Sequence, residues 1–155
     1  MAVTRLAYEA DGWGVGEIWL DGDVVVWHEL PRPTPATGLQ RSCNPVAELV
    51  QAYLAGEDVD LNGVPVDLEY ETEFLSNCAH ALRRIPRGET VTYGELAALA
   101  GAPGAARAAG SFCARNRLGL FVPCHRVVSA GGLGSYGSHG VAYKKRLLEL
   151  EGVAV

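Results

Sequence analysis

The stretch "ETVTYGELAALAGAPGAARAAGSFCARN", Glu89–Asn116, decides how this chain is read. Thr92 followed three residues later by Glu95 is a capping box, which satisfies two backbone N–H groups at a helix start. The spacing predicts a helix from there to about Ala100, with Gly101 just past its end. "GAPG", residues 101–104, is a tight turn, and "AARAAGSFCAR", residues 105–115, is a second, alanine-rich helix. Two short helices joined by a glycine-containing turn form a helix-turn-helix candidate. A plain helical hairpin in an all-α core fits the same pattern. Arg107 favours the first reading, because recognition helices present side chains to DNA near their start.

Immediately upstream, "ETEFLSNCAHALRRI", residues 71–85, places Phe74, Leu75, Cys78, Ala79, Leu82 and Ile85 on one helical stripe, and Pro86 ends it. Downstream, "AYKKRLLELEG", residues 142–152, reads as a last helix stopped by Gly152, with Tyr143, Leu147, Leu148 and Leu150 facing the core. Before it lies "SAGGLGSYGSHG", residues 129–140, a five-glycine stretch that reads as a mobile surface loop. It lacks the spacing of a nucleotide-phosphate loop.

The first part of the chain is of another kind. "TRLAYEA", "GVGEIWL" and "DVVVWHEL" are β-branched and aromatic runs separated by turn residues, the pattern of an antiparallel meander. "PRPTPATG", residues 31–38, reads as a loop. A helix then follows, with Asn44 as N-cap, Pro45 at its first position and Gly56 past its end. Residues 57–70 are acidic and turn-rich and read as a linker. The fold class expected is α+β: a small N-terminal antiparallel sheet with a helix, residues 1–70, then a mostly helical C-terminal domain with a helix-turn-helix, residues 71–155.

With 48% apolar and 20% charged residues, a packed core is expected and global disorder is not. No apolar run approaches twenty residues and no signal segment is visible, so the expected compartment is the cytoplasm. The net charge of −5 is unevenly spread. Residues 1–79 hold 3 basic and 14 acidic side chains, a balance of −11, while residues 80–126 hold 7 basic and 2 acidic, a balance of +5. A polyanion is drawn to the middle segment and repelled by the first; mutual neutralisation of the two halves accounts for the same numbers.

Four cysteines, Cys43, Cys78, Cys113 and Cys124, form no CxxC pair. Cys78 and His80 come nearest to a metal pattern, but residues two apart on a helix face different ways. No metal site is expected. Cys124 and His125, in "VPCHRVV", are the chemically loaded pair. A free thiol titrates near pKa ~8.5, so a nucleophilic cysteine needs a base or cation beside it. Neighbours on a turning chain usually point apart, so a water between Cys124 and His125 is the expected path for the proton. Glu151 is the best carboxylate to orient the imidazole, with Glu149 the other. A buried structural thiol and a core histidine are the plainer readings of the same two residues.

"IPRGETVTYGELAALAG", "AARAAGS", "VPCHRVV" and "LLELEG" stand in the order and spacing of one family. The segment from about Phe74 to Gly152 resembles the O6-alkylguanine-DNA alkyltransferases, and the first seventy residues resemble that family's N-terminal domain only in size and strand character. The resemblance implies a cofactor-free, monomeric repair protein acting on double-stranded DNA that carries alkylated guanine, and on O4-alkylthymine. It flips the lesion out of the duplex and takes its alkyl group irreversibly onto Cys124. By the family pattern Cys124, a water, His125 and Glu151 form the activating relay, and Asn116 braces the active-site turn. Tyr93 donates a proton toward the leaving base and crowds the target phosphate. Arg107 replaces the flipped base in the stack, with Ala106 and Arg115 on the same DNA-facing surface. Tyr136 lines the alkyl pocket, together with Gly119, Val127 and either Ser135 or Ser138. Departures are Arg117 where the family commonly has proline, Gly119 where a proline is frequent, and "GSYGSHG" in place of a tyrosine-serine-glycine-glycine pattern. A non-catalytic helix-turn-helix protein that only senses alkylated DNA is the alternative; relatives of that kind lack the acceptor cysteine.

Overall fold

Alternation of apolar and polar residues builds the first sheet. β1 (Val3–Ala10), β2 (Gly14–Asp21) and β3 (Val24–Arg32) pair antiparallel in the order β1-β2-β3 in the computed structural model, which describes residues 2–33 and 44–155. Leu6, Tyr8 and Ala10 face inward from β1, and Ile18 and Leu20 from β2. Opposite Tyr8 in the register stands Gly16, where a Cβ would lie 2.5 Å from the Tyr8 ring, so only glycine lets that ring lie across the strand. On the outer face Arg5 pairs with Glu17 and lies over the Trp19 ring, and Trp19 meets Trp27 edge to face. β3 runs on through Pro31 and Arg32, two residues beyond the expected start of the loop, because Arg32 still pairs with Val15. The rest of that loop and Cys43 lie outside the described residues.

α1 (Pro45–Leu54) starts as expected, with the Asn44 side chain accepting from Val46 N–H at 2.8 Å. Its buried residues Ala47, Val50, Tyr53 and Leu54 face this unit's core, and Trp13 Nε1–H donates to the Leu54 carbonyl at 2.9 Å. Residues 57–67 are not a linker. Leu61 and Val64 are buried, and Val25 exchanges backbone bonds with Pro65 and Asp67, so the segment adds an edge to β3. Acidic composition hid two apolar anchors spaced by three.

The chain divides into two compact units. One holds residues 1–67 and, returning from the other half of the chain, Arg117–Phe121; the second holds residues 68–116 and 122–155. Leu118, Leu120 and Phe121 are buried, and Arg117 O accepts from His28 N–H at 2.8 Å.

In the second unit α2 (Glu73–Leu82) is capped by Thr72 and buries Cys78, Ala79, Ala81 and Leu82. It stops three residues short of Ile85: the Arg84 and Ile85 N–H groups turn to carbonyls only three residues back, tightening the chain ahead of Pro86. β4 (Val91–Thr92) leads directly into α3 (Tyr93–Leu99), and both capping-box bonds, Thr92 N to Glu95 and Glu95 N to Thr92, are made at 3.0 and 3.1 Å. α4 (Ala106–Ala114) packs on α3 as the second helix of the helix-turn-helix, burying Ala109 and Phe112. β5 (Val127–Val128) pairs parallel with β4, a ladder too short to have a sequence signature. α5 (Val141–Leu150) closes the unit with Lys144, Leu147 and Leu148 inward. Tyr143 and Leu150, expected in the core, are half-buried. Among the described residues no helix is long and apolar enough to cross a membrane.

Candidate active site

Cys124 opens a single 3-10 turn, Cys124–Arg126, between Pro123 and β5. Its N–H donates to the Val122 carbonyl at 2.8 Å. Asn116, just past α4, donates from Nδ2 to the same carbonyl at 2.8 Å and to Cys124 Sγ at 3.1 Å. One amide thus fixes the peptide ahead of the cysteine and touches its sulfur. Burial pushes the thiol above its ordinary value, and the Asn116 amide, the Lys144 ammonium and the Tyr136 hydroxyl act against it. The resting group is therefore the thiol, and a nucleophile needs a base to form.

A candidate base is next in the chain. His125 is fully buried, with Nε2 at 2.9 Å from Glu151 Oε2. A carboxylate only accepts, so Nε2 carries a proton, and in the neutral ring the lone pair sits on Nδ1. Burial first, then the charges of Arg126, Lys144 and Arg87, hold His125 well below the usual histidine range. The ring is thus in its base form at neutral pH.

Glu151 caps α5 at its C-terminal end, where the helix dipole disfavours an acid. Two partners compensate it, and one of them was not foreseen. Arg126 donates from Nε at 3.0 Å to Oε1 and from Nη2 at 2.8 Å to Oε2, and from Nη1 to the Ile85 carbonyl at 2.7 Å. Burial pushes the carboxyl up to about 7, against a backbone hydrogen bond from Gly88, and the forked contact with Arg126 is one that the ionised form makes best. Glu149 is exposed and pairs with Lys145, so it is not the orienting group.

A second buried cation joins the remaining pieces. Lys144 Nζ donates to the carbonyls of Val127 and Ser135 and, at 3.5 Å, to the Tyr93 hydroxyl, and it lies 5.6 Å above the Tyr93 ring. Burial, and after it the Cys113 and Cys124 thiols, push the Tyr93 phenol up, so it stays a proton donor. The signal for Lys144 was present: with Leu147 and Leu148 it makes an i, i+3, i+4 stripe. Arg126 offered less, since its carboxylate partner is 25 residues away.

The glycine-rich loop is anchored. Tyr136 is buried and its ring meets Tyr143 at 6.1 Å and His139 at 6.0 Å, while Lys144 holds the Ser135 carbonyl. Gly134 has φ 76°, and a Cβ there would stand 2.7 Å from the Tyr93 hydroxyl. A side chain at that position would collide with the site.

The structure bonds Asn116 to Cys124 and His125 to Glu151, sets the Tyr136 hydroxyl toward Cys124, and holds Tyr93 and Ser135 on Lys144. Val127 is buried in β5 with its carbonyl on Lys144. Arg107 is exposed at the second position of α4, Ala106 precedes it half-buried, and Arg115 is exposed at the C-cap. Gly110 of α4 sets its backbone against the Tyr93 ring, so this helix and the cysteine cluster share a neighbour. Ser138 is exposed on a 3-10 turn, and Gly119 belongs to the other unit.

The chain is similar to known proteins in both sequence and fold. The family model for the 6-O-methylguanine DNA methyltransferase DNA binding domain matches residues 73–153. The chain is 48% identical over 125 residues to the methylated-DNA–protein-cysteine methyltransferase of Mycobacterium bovis, covering 80% of this chain and 70% of that one. It is 34% identical over 145 residues to the protein of that name from Methanothermobacter thermautotrophicus, covering 91% and 81%. Among solved structures it resembles the Mycobacterium tuberculosis OGT in complex with DNA, with TM-score 0.79 and 34% identity over 96% of this chain and 92% of that one.

Proposed function

Because the chain belongs to the 6-O-methylguanine DNA methyltransferase family, we propose that it repairs DNA by moving the alkyl group of O6-alkylguanine, and of O4-alkylthymine, directly to Cys124. The observation that carries this reading is the bonded cluster Asn116–Cys124 with His125–Glu151–Arg126 behind it. His125 Nδ1 takes the thiol proton through a water. The sulfur attacks the alkyl carbon, the S–C bond forms as the C–O6 bond breaks, and the electron pair passes into the guanine ring. Tyr93 donates the proton that the departing base needs, and Lys144 keeps its hydroxyl aimed. The thioether is stable, so one molecule serves once and no regenerating machinery is required.

Incubation with duplex DNA holding one O6-methylguanine tests this. The intact protein should gain a single methyl group; DNA bound with unchanged protein mass would support the sensor reading, and turnover with unchanged mass would support hydrolysis.

Exposed at the head of α4, Arg107 fills the space left by the flipped base and offsets an unstacking cost of a few kcal/mol. Arg107→Ala should slow repair of duplex DNA on the order of tenfold. Reaction with free O6-methylguanine should stay near the parent rate. Equal losses on the two substrates in parallel single-turnover assays would assign Arg107 to the fold instead.

A further inference from the structure

His28 is a buried polar residue in the N-terminal unit, and it meets the segment 117–121 through both its backbone and its ring. Its backbone N–H donates to the Arg117 carbonyl at 2.8 Å. Its Nδ1 lies 2.7 Å from the Gly119 carbonyl and its Nε2 2.6 Å from the Tyr8 hydroxyl. A carbonyl only accepts, so Nδ1 carries a proton, and in the neutral ring Nε2 accepts from Tyr8. The ring edge also meets Phe121 at 5.3 Å.

The peptide that His28 grips precedes a strained one. Leu120 has φ 72°, the one positive value at a non-glycine among the described residues. For a leucine that conformation is strained. It persists only where the surroundings impose it, and here the Gly119 carbonyl is bonded on one side and the Leu120 side chain is buried. The segment is short and its two ends are tied: Asn116 precedes it, Val122 follows it, and Asn116 Nδ2 bonds the Val122 carbonyl at 2.8 Å and Cys124 Sγ at 3.1 Å. Releasing Leu120 into an ordinary conformation would redirect the chain two residues ahead of that carbonyl.

We infer that His28 is a positioning residue for Cys124: it holds the strained Gly119–Leu120 turn, and the turn sets the Asn116–Val122 brace that touches the sulfur. The inference rests on Cys124 being the alkyl acceptor. It assigns to the N-terminal sheet a part in thiol activation distinct from any contact with DNA.

Two near-isosteric variants separate the two ring bonds. In His28→Asn the amide nitrogen takes the place of Nδ1 and keeps the Gly119 bond. In His28→Gln the amide reaches the place of Nε2, keeps Tyr8 and loses Gly119. The readout is the rate at which iodoacetamide labels Cys124, followed by peptide mass spectrometry from neutral to alkaline pH. His28→Gln should label on the order of tenfold more slowly at neutral pH, with its pH midpoint moved upward. His28→Asn should track the parent, and adding Leu120→Gly to His28→Gln should recover part of the loss, because glycine adopts the turn without strain. Coincident pH profiles for the glutamine variant and the parent, with only a lower Tm, would reduce His28 to a core residue and overturn the inference, as would equal losses in both variants. Iodoacetamide needs no DNA chemistry, so failure of methyl transfer from O6-methylguanine by the parent protein is a separate result that bears on the function alone.

Discussion

Cys124→Ala should abolish alkyl transfer while DNA affinity stays near that of the parent. The expectation is sharp because the alternatives among the described cysteines are structurally poor. Burial holds Cys78 up to about 11. Burial, and then the neighbouring Cys124, raise Cys113 beyond the range in which a thiolate forms at neutral pH. Neither has a histidine partner among the hydrogen bonds of the second unit, whereas Cys124 has the Asn116 amide on its sulfur and His125 next in the chain. Alanine removes the sulfur and leaves the Val122 carbonyl still bonded to Asn116, so the turn is kept. Loss of the nucleophile removes the covalent route entirely, not a fraction of the rate. Intact mass after incubation with methylated duplex, with a binding titration alongside, reads both halves. A methyl group on the alanine variant would move the acceptor elsewhere.

The second large effect belongs to Glu151. Glu151→Gln should lower the transfer rate on the order of a hundredfold, since a positioned base contributes at least that much. The gap to the parent should narrow as pH rises. The sign follows from the two shifted groups. The Cys124 thiol is raised, so hydroxide forms more thiolate in either protein as pH climbs, and the variant then depends less on His125. His125 is lowered, so the parent keeps its neutral base down through pH 6.5 and its acid limb lies below that value. The variant also loses stability, by about 3 kcal/mol, because Arg126 remains as a half-buried cation without its carboxylate. Single-turnover profiles with free alkylguanine and a thermal melt measure the two effects. Superimposable profiles would remove Glu151 from the mechanism.

Local signals in the chain proved readable and long-range ones did not. Thr92 and Glu95 announce α3 from four residues, Asn44 and Pro45 announce α1 from two, and the structure makes those bonds where the pattern puts them. "PCHRV" and the acid at the end of α5 point to Cys124, His125 and Glu151, and the structure sets His125 Nε2 2.9 Å from Glu151 Oε2. What escaped depends on who sits opposite whom. Arg126 is one more positive charge until Glu151 stands 2.8 Å away, and Lys144, though in line with Leu147 and Leu148, takes its meaning from the Val127 and Ser135 carbonyls it meets. The acids of residues 57–67 suggested solvent, yet Leu61 and Val64 decide where that segment lies. "RLGLF" reads as apolar and hence buried, but five residues carry no statement of which core receives them.

That last segment sets a rule of assembly for the gene as well as the protein. Since Arg117–Phe121 completes the first unit from within the second, no single cut of the chain separates two self-sufficient pieces. A truncation at Asp67 would leave Leu118, Leu120 and Phe121 as a stray greasy thread, prone to aggregate. During synthesis the sheet leaves the ribosome first and must wait some fifty residues for its last strand-like piece. Recombination is constrained in the same way: exchanging the N-terminal half between relatives would import a sheet matched to another protein's 117–121 segment, so the two stretches are expected to be inherited together.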